Sequence, residues 1–178
     1  MGRIVGYIAQ SLDGFIADKN HKVEWLDPFG TVDYREFSYD KFIANIGTVV
    51  MGRKTYDFVA NAGVDWPYAA QRSIVITSSS LQSPFQDIEI YNGTLSTLIE
   101  QLRKDEKDTW IVGGGRLQSS LVAQNLMDEI QVFVMPVLIG EGIPMWPGTQ
   151  MEQKAQLIDA TALDKGVVHL QYKFSIEN

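Results

Sequence analysis

Short apolar runs alternate with segments of helical periodicity along the first three quarters of the chain, and the last quarter contains only strand-like segments. Runs rich in Val, Ile, Leu and aromatic residues predict strands, because such side chains pack well on a sheet. Alternation of strands and helices is typical of an α/β fold. Strands are predicted at residues 4–9, 48–51, 72–77, 110–112, 129–137, 155–163 and 167–174.

Four segments are predicted to be helical because their apolar residues recur at intervals of three or four positions. The first covers residues 32–46, where apolar side chains between Tyr39 and Ile46 form one stripe and Asp33 marks the start. The whole pattern predicts one domain over residues 1–178, with about eight strands and about four helices. The other helices are predicted at residues 53–61, at 95–102 after a Thr94 cap, and at 116–125.

Three consecutive glycines, Gly113, Gly114 and Gly115, lie between a buried strand and a helix start. Glycine lets the backbone approach a ligand closely, and the first turn of a helix offers unpaired N–H groups. The arrangement therefore suits a phosphate group. A tight turn without a ligand is the alternative, because the triplet alone lacks the wider context of a dinucleotide-binding fingerprint.

Two further junctions carry similar chemistry at the ends of predicted strands. Gly52 is followed by Arg53, Lys54 and Thr55 at a helix start, and residues 77–80 form a hydroxyl cluster after the third strand. Ligands bind open α/β sheets at the carboxyl ends of the strands, so the three junctions could hold one molecule with several phosphates. They match neither the Rossmann fingerprint nor a Walker A loop.

Composition narrows the function classes. The chain has no cysteine, which excludes disulfides, thiolate metal sites and a cysteine nucleophile, and its two histidines are too few for a histidine-rich metal cluster. A formal net charge of −7 argues against nucleic acid as a partner but permits a local basic pocket. No run is long enough to span a membrane and no signal-peptide pattern is present, so we expect a cytoplasmic protein.

Glu36 is the candidate acid of the first predicted helix. Seven positions before Ile43, it lies beside the edge of the apolar stripe and could point into a cleft, whereas Asp40 lies further toward solvent. A first-turn glutamate that is favoured only by the helix dipole is the alternative.

Taken together, five segments resemble the dihydrofolate reductase superfamily, and more closely its branch that contains the C-terminal reductase domain of the bifunctional riboflavin-biosynthesis deaminase-reductase. The resemblance covers nearly the whole chain and implies a three-layer α/β/α fold with a mixed central sheet. The zinc-deaminase motifs of the bifunctional enzyme are absent, which indicates a stand-alone reductase. The resemblance is carried by SLDG at 11–14, MGRKTY at 51–56, IVITS at 74–78, VGGGRL at 112–117 and PVLIGEGIP at 136–144.

The resemblance implies NADPH bound across the carboxyl ends of the strands, with a cis peptide between Gly113 and Gly114. Arg53, Thr77 and Ser78 would meet the adenosine 2′-phosphate, which favours NADPH over NADH. The implied cofactor contacts are Ala9 and Ile16 near the nicotinamide, and Gly52, Arg53, Lys54, Thr55, Thr77, Ser78, Gly113, Gly114, Gly115, Arg116 and Leu117.

The resemblance also implies the substrate side of the site. Counting back from Gly52 without gaps places the family's acidic substrate-contacting residue at Glu36, which would bind the substrate ring and help to supply a proton while the nicotinamide supplies hydride. Asp13, Trp25 and Asp40 are further candidates for substrate contacts.

The expected reaction is NADPH-dependent reduction of a pyrimidine- or pteridine-like small molecule, most like the ribosylaminopyrimidine reduction of riboflavin biosynthesis. Dihydrofolate reduction is the alternative reaction, and a non-catalytic NADP(H)-binding module is the alternative of another class. A homodimer is expected, to which apolar residues within 137–146 would contribute.

Overall fold

Residues 1–148 and 152–174 are described by a computed structural model, and their strands account for most of the predicted pattern. The seven predicted strands are all present, with ends that shift by one or two residues. The strands are β1 (Ile4–Ser11), β2 (Phe15–Asp18), β3 (Ile46–Gly52), β4 (Arg72–Ile76), β5 (Ile88–Tyr91), β6 (Asp108–Gly113), β7 (Glu129–Met135), β8 (Gly142–Pro144), β9 (Ala155–Ala162) and β10 (Val168–Phe174).

Eight of these strands form one mixed sheet in the order β5-β4-β3-β6-β1-β7-β10-β9, and β2 pairs with β8 in a separate two-stranded sheet. The strands from β5 to β7 in this order run parallel, whereas β10 is antiparallel to both β7 and β9. The carboxyl ends of the six parallel strands therefore share one edge of the sheet. The predicted mixed sheet of about eight strands is confirmed.

Helices cover both faces of this sheet, as the predicted three-layer α/β/α fold requires. Apolar side chains of the third and fourth helices pack with Ile4, and those of the first and second pack with Val5. Ile4 and Val5 are consecutive in β1 and so point to opposite faces. The α-helices are α1 (Tyr39–Ile43), α2 (Arg53–Ala60), α3 (Leu95–Leu102) and α4 (Gly115–Ala123), and short 3-10 helices occupy Glu24–Phe29, Arg35–Phe37 and Asp164–Gly166.

The predicted helix at residues 32–46 is wrong in most of its length. Asp33 accepts a hydrogen bond from the backbone N–H of Arg35 (2.9 Å) in a turn, and Arg35 itself has a positive φ of 52°. Ser38 is extended, so α1 has only five residues, and Ile46 already belongs to β3. A five-residue helix is too short to be stable alone, so packing of its apolar side chains on the sheet decides where it begins and ends.

Three strands, β2, β5 and β8, were absent from the prediction. β2 and β5 have four residues each and β8 has three, so each is too short to give a clear pattern of its own. β5 lies at the edge of the main sheet beside β4, and β2 and β8 pair with each other. All three strands are therefore defined by pairing with another segment of the chain.

Candidate functional site

Three strand ends that carry the glycine and hydroxyl residues are neighbours at the carboxyl edge of the sheet. Met51 of β3 pairs with Gly113 of β6, and Gly52 pairs with Ile76 of β4. Gly52, Gly113 and the residue after Ile76, Thr77, therefore form one row across three adjacent parallel strands, which we call the glycine row. Open α/β sheets bind ligands at this edge.

Two helices start directly at the glycine row. Neither Gly52, before α2, nor Gly114, before α4, offers a side chain as a cap, so within the described residues no side chain caps the first turn of either helix. The two starts lie close together, because the Thr55 hydroxyl oxygen is 3.4 Å from the position that a Cβ atom on Gly114 would take. Unpaired N–H groups at two helix starts are suited to bind an anion, so we call this place the candidate anion site.

The three consecutive glycines have distinct structural roles. Gly113 has a φ of 140°, a conformation that other residues rarely adopt, and the predicted cis peptide joins it to Gly114. A Cβ atom on Gly115 would lie 2.7 Å from the carbonyl oxygen of Met145 and 2.8 Å from that of Pro144. The end of β8 and the residue after it therefore cross the start of α4 in close contact, beside the candidate anion site.

Arg53 connects α2 to the hydroxyl-rich loop after β4. Its Nε donates to the Asp57 carboxylate (2.8 Å), and its Nη1 donates to the carbonyl oxygen of Ser80 (3.2 Å). Thr77 in the same loop accepts a hydrogen bond from the N–H of Ser79 (3.1 Å). The side chain of Arg53 is 38% exposed, so its guanidinium can still meet a ligand from solvent. The structure thus brings Arg53 beside the loop that contains Thr77 and Ser78.

A slot opens between β1 and β6 next to the glycine row. The ladder between these strands covers only residues 4–6 of β1, whereas β1 goes on pairing with β7 as far as Ser11. β6 meanwhile stays paired with β3 as far as Gly113. The two strands therefore separate toward their carboxyl ends, and we call the gap the β1–β6 slot.

Backbone polar groups of β1 face this slot. The carbonyl oxygen of Arg3 accepts a hydrogen bond from the N–H of Thr109 at the start of β6 (2.8 Å). Alternate residues of a strand direct their backbone groups to the same neighbour, so Tyr7 and Ala9 direct theirs toward β6, beyond the end of the ladder. These groups are available to a planar ligand with its own donors and acceptors.

Trp25 and Ile16 lie on opposite faces of the sheet near the slot. Trp25 packs with Ala9 against the cluster that contains Phe133 and Met135, and Ile16 packs against the core on the face of α4. The indole N–H of Trp25 is buried and has no acceptor within residues 1–148 and 152–174. A buried donor without a partner costs about 1–3 kcal/mol, so a bound water or ligand acceptor would stabilise this position.

Asp13 is occupied by the protein itself. Its carboxylate accepts hydrogen bonds from the Ser11 hydroxyl (2.6 Å) and from the backbone N–H groups of Ile139 (3.2 Å) and Gly140 (2.7 Å). These donors, the Ser11 hydroxyl first, hold the pKa of Asp13 below its usual value. Asp13 therefore fastens the turn after β1 to the loop after β7, and its substrate contact stays a prediction.

Glu36 lies in the short 3-10 helix Arg35–Phe37 and not in the predicted α-helix. It lines a cavity of about 270 Å³ together with Arg3, Asp108 and Glu129, which stand at the starts of strands. The glycine row is at the strand ends. Gln131 and Gln171 line the same cavity, and the charge of Glu36 acts on His169, whose strand neighbour Phe133 pairs with Ala9. The proton-handling role of Glu36 remains a prediction. Asp40 is exposed, as expected, and its substrate contact also stays a prediction.

Two residues with many contacts were missed by the sequence analysis. Tyr7 donates its hydroxyl hydrogen to the carbonyl oxygen of Phe37 (2.8 Å), and the Phe37 ring stacks on His169 at a centroid distance of 3.7 Å. His169 is fully buried, with Asp159 at Nδ1 and Gln131 at Nε2, both at 3.1 Å. A histidine within an apolar strand was the available signal, but its partners are distant in the sequence.

His169 should make the stability of the protein depend on pH. Burial lowers its pKa from the ordinary value of 6.5, and the charges of Asp159 and Glu36 only partly oppose this. The unfolded chain therefore binds more protons below about pH 6.5, so the free energy of unfolding should fall as the pH drops from about 7 to 5. Thermal unfolding of the wild type should show a larger loss over this range than that of His169→Gln.

Replacement of the exposed His21 gives the matched control for this experiment. His21→Gln should follow the wild-type curve, because it removes an exposed imidazole and leaves His169 in place. Parallel curves for wild type and His169→Gln would contradict the assignment.

Comparison with known proteins identifies relatives of this chain. YwjB of Bacillus subtilis strain 168, an uncharacterized protein, is 31% identical over 157 residues, which are 87% of this chain and 88% of YwjB. The 2,5-diamino-6-ribosylamino-4(3H)-pyrimidinone 5′-phosphate reductase of Archaeoglobus fulgidus is 49% identical over 47 residues, which are 26% of this chain and 22% of that enzyme.

Solved structures and a family model agree with this placement. A putative riboflavin biosynthesis protein from Shewanella sp. PV-4 is similar at a TM-score of 0.86 and 24% identity, covering 98% of this chain and 99% of its own. Dihydrofolate reductase from Enterococcus faecalis, solved with NADP(H), is similar at a TM-score of 0.64 and 18% identity, covering 98% of each chain. At these identities the likeness concerns the fold. The model of the RibD C-terminal domain matches residues 4–169, and the chain therefore belongs to the RibD C-terminal domain family.

Proposed function

We propose that this protein is an NADPH-dependent reductase that transfers hydride to a pyrimidine- or pteridine-like small molecule, most like 5-amino-6-(5-phosphoribosylamino)uracil. The observation that carries the proposal is the β1–β6 slot, which opens beside two uncapped helix starts. A flat ring with a carboxamide group matches the slot, because Ala9 offers a backbone donor and an acceptor there. The phosphates of the same molecule would reach the helix starts.

The residues of the glycine row fit the phosphates of such a cofactor. The N–H groups at the starts of α2 and α4, with the Thr55 hydroxyl between them, would bind the pyrophosphate. Arg53, beside the loop after β4, would bind the 2′-phosphate. The full proposed set is Ala9, Ile16, Gly52, Arg53, Lys54, Thr55, Thr77, Ser78, Gly113, Gly114, Gly115, Arg116 and Leu117.

The acceptor ring would lie over Ala9, next to the slot. When bound, NADPH would supply a hydride for an electrophilic carbon of the acceptor, whose adjacent nitrogen or oxygen takes up a proton. Ala9 leaves room above β1 because its side chain is small, and the buried N–H of Trp25, near the same cluster, can donate to the acceptor molecule. The choice of a pyrimidine acceptor is supported by membership of the family and by the activity named for the Archaeoglobus relative.

Turnover tests the proposal directly. The purified protein, NADPH and 5-amino-6-(5-phosphoribosylamino)uracil should give NADP⁺ and reduced product in equal amounts, with slower turnover when NADH replaces NADPH. Loss of NADPH absorbance and chromatography of the product measure both. NADPH oxidation with dihydrofolate alone would favour dihydrofolate reduction. NADPH binding without turnover of either compound would favour a non-catalytic module, and the absence of binding would overturn the proposal.

Glu36→Gln and Asp40→Asn form a matched pair in the same assay, because each removes one exposed carboxylate near α1. Turnover that falls in Glu36→Gln alone, at unchanged NADPH affinity, would support the proton-handling role. Wild-type turnover in Glu36→Gln would remove Glu36 from the mechanism, whatever the turnover of Asp40→Asn.

The remaining expectations stand as proposals. Leu138 and Trp146 are 68% and 37% exposed, and we propose that they contribute to a homodimer. A net charge of −7 disfavours nucleic acid as a partner, and cytoplasmic localisation is the proposed setting. Among the described helices, none has the length and hydrophobicity that crossing a bilayer requires.

A further inference from the structure

Tyr7 stands between two compartments on one face of the sheet. Alternate residues of β1 share this face, so Val5, Tyr7 and Ala9 follow one another at intervals of about 6.6 Å. Val5 lines the cavity that contains Glu36, whereas Ala9 borders the β1–β6 slot. The Tyr7 side chain therefore separates the cavity from the slot.

Contacts on both sides hold Tyr7 in this position. Its hydroxyl donates to the carbonyl oxygen of Phe37 (2.8 Å), and its ring stacks on Phe42 at a centroid distance of 4.3 Å and an interplanar angle of 22°. Phe133 on the neighbouring strand lies 4.9 Å away, centroid to centroid. Phe37 and Phe42 both line the cavity. The tyrosine thus bridges from the sheet to the segment that covers it and closes the cavity on the side of the slot.

The Tyr7 hydroxyl remains a hydrogen-bond donor to the Phe37 carbonyl oxygen at neutral pH. Burial, and then the charges of Tyr34, Tyr39 and Asp40, raise the pKa of Tyr7 well above its ordinary value, so the group stays protonated at neutral pH. A hydrogen bond to a backbone carbonyl also restricts the ring to one rotamer. The partition is therefore a fixed wall.

We propose that Tyr7 is a specificity-determining residue that limits the hydride acceptor to a single ring. The inference rests on the proposed function, because the acceptor ring is placed over Ala9. If the acceptor had a second, fused ring that extended along β1 toward Tyr7, that ring would have to occupy the volume of the Tyr7 side chain. Tyr7 therefore selects a pyrimidine over a pteridine.

Two small probes test this limit without turnover. They are 2,4-diaminopyrimidine and 2,4-diaminopteridine, and their affinities are measured by quenching of tryptophan fluorescence, with and without NADPH. The wild type should bind the pyrimidine at least about tenfold more tightly than the pteridine. Tyr7→Leu, which removes the ring but stays apolar, should shift this ratio by at least about tenfold toward the pteridine.

Tyr7→Phe is the matched control, because it keeps the ring and removes only the hydrogen bond to Phe37, so its ratio should stay within about threefold of wild type. Phe42→Leu removes the stacking partner of Tyr7 and should shift the ratio in the same direction as Tyr7→Leu, by less. It serves as the second test if Tyr7→Leu does not fold, as judged by thermal unfolding.

An unchanged ratio in every folded variant, or a lack of pteridine binding in all of them, would overturn the proposal. Failure of the proposed function would be recognised by a different result. NADPH would then change none of the titrations, whereas the ratio of the two probe affinities could still be measured.

Discussion

Arg53→Ala should weaken NADPH binding by about ten- to a hundredfold and change NADH affinity by less than about threefold. The guanidinium lies at the loop after β4, where we propose that it binds the phosphate on the adenosine ribose, and only NADPH carries that phosphate. The lost interaction involves two charged groups, so its contribution exceeds that of an ordinary hydrogen bond. Fluorescence titration with each cofactor measures both affinities.

Arg72→Ala is the matched control for this result. Arg72 is 46% exposed and ion-paired with Glu89, much as Arg53 is 38% exposed and paired with Asp57, but it stands at the opposite end of β4. Its removal changes the net charge equally and should leave both affinities unaltered. If Arg53→Ala lost equal affinity for NADPH and NADH, Arg53 would bind the pyrophosphate and not the 2′-phosphate. If it lost affinity for neither, Arg53 would not belong to the cofactor site.

Gly115→Ala should lower the free energy of unfolding by about 1–3 kcal/mol and the melting temperature by roughly 2–12 °C. The added methyl group would lie 2.7 Å and 2.8 Å from two backbone oxygens, of Met145 and Pro144. Backbone atoms cannot rotate away as a flexible side chain does, so the segment after β8 must shift. Because this segment lies beside the proposed pyrophosphate site, NADPH affinity should fall as well.

Gly30→Ala shows what an unstrained glycine substitution costs. Gly30 has a helical φ of −59°, and its Cβ would be 3.5 Å from the nearest atom, the Asp27 carbonyl oxygen, which is an ordinary contact. Thermal unfolding and NADPH titration of both variants give the comparison. If Gly115→Ala is as stable as Gly30→Ala, the segment with Pro144 and Met145 shifts without a loss of stability, which would contradict the prediction.

Most strands and three of the four helices could be predicted from local patterns. The apolar run at β6 followed by glycine predicted the strand, the turn and the start of α4. Thr94 was predicted as a cap, and its hydroxyl accepts the N–H of Thr97 (3.3 Å). These features depend on residues within one turn or one strand of each other, so the sequence contains the whole signal.

The segment from residue 32 to residue 46 shows where local patterns fail. The spacing of its apolar residues fits one long helix as well as it fits a turn followed by α1. The choice is made by contacts to distant residues, among them the hydrogen bond from Tyr7 to Phe37 and the stacking of Phe37 on His169. The position of Glu36 changed with the helix.

The sequence by itself determined the order of the elements, the three junctions with glycine or hydroxyl residues, and the resemblance that led to the family. Only the tertiary structure decided that Asp13 binds the loop after β7, that Glu36 lines a cavity together with residues at the strand starts, and that Tyr7 separates the two compartments. The physical reason is that a side chain's role depends on its partners in space. Tyr7 and Phe37 are 30 positions apart in the chain, and Asp13 and Gly140 are 127 positions apart.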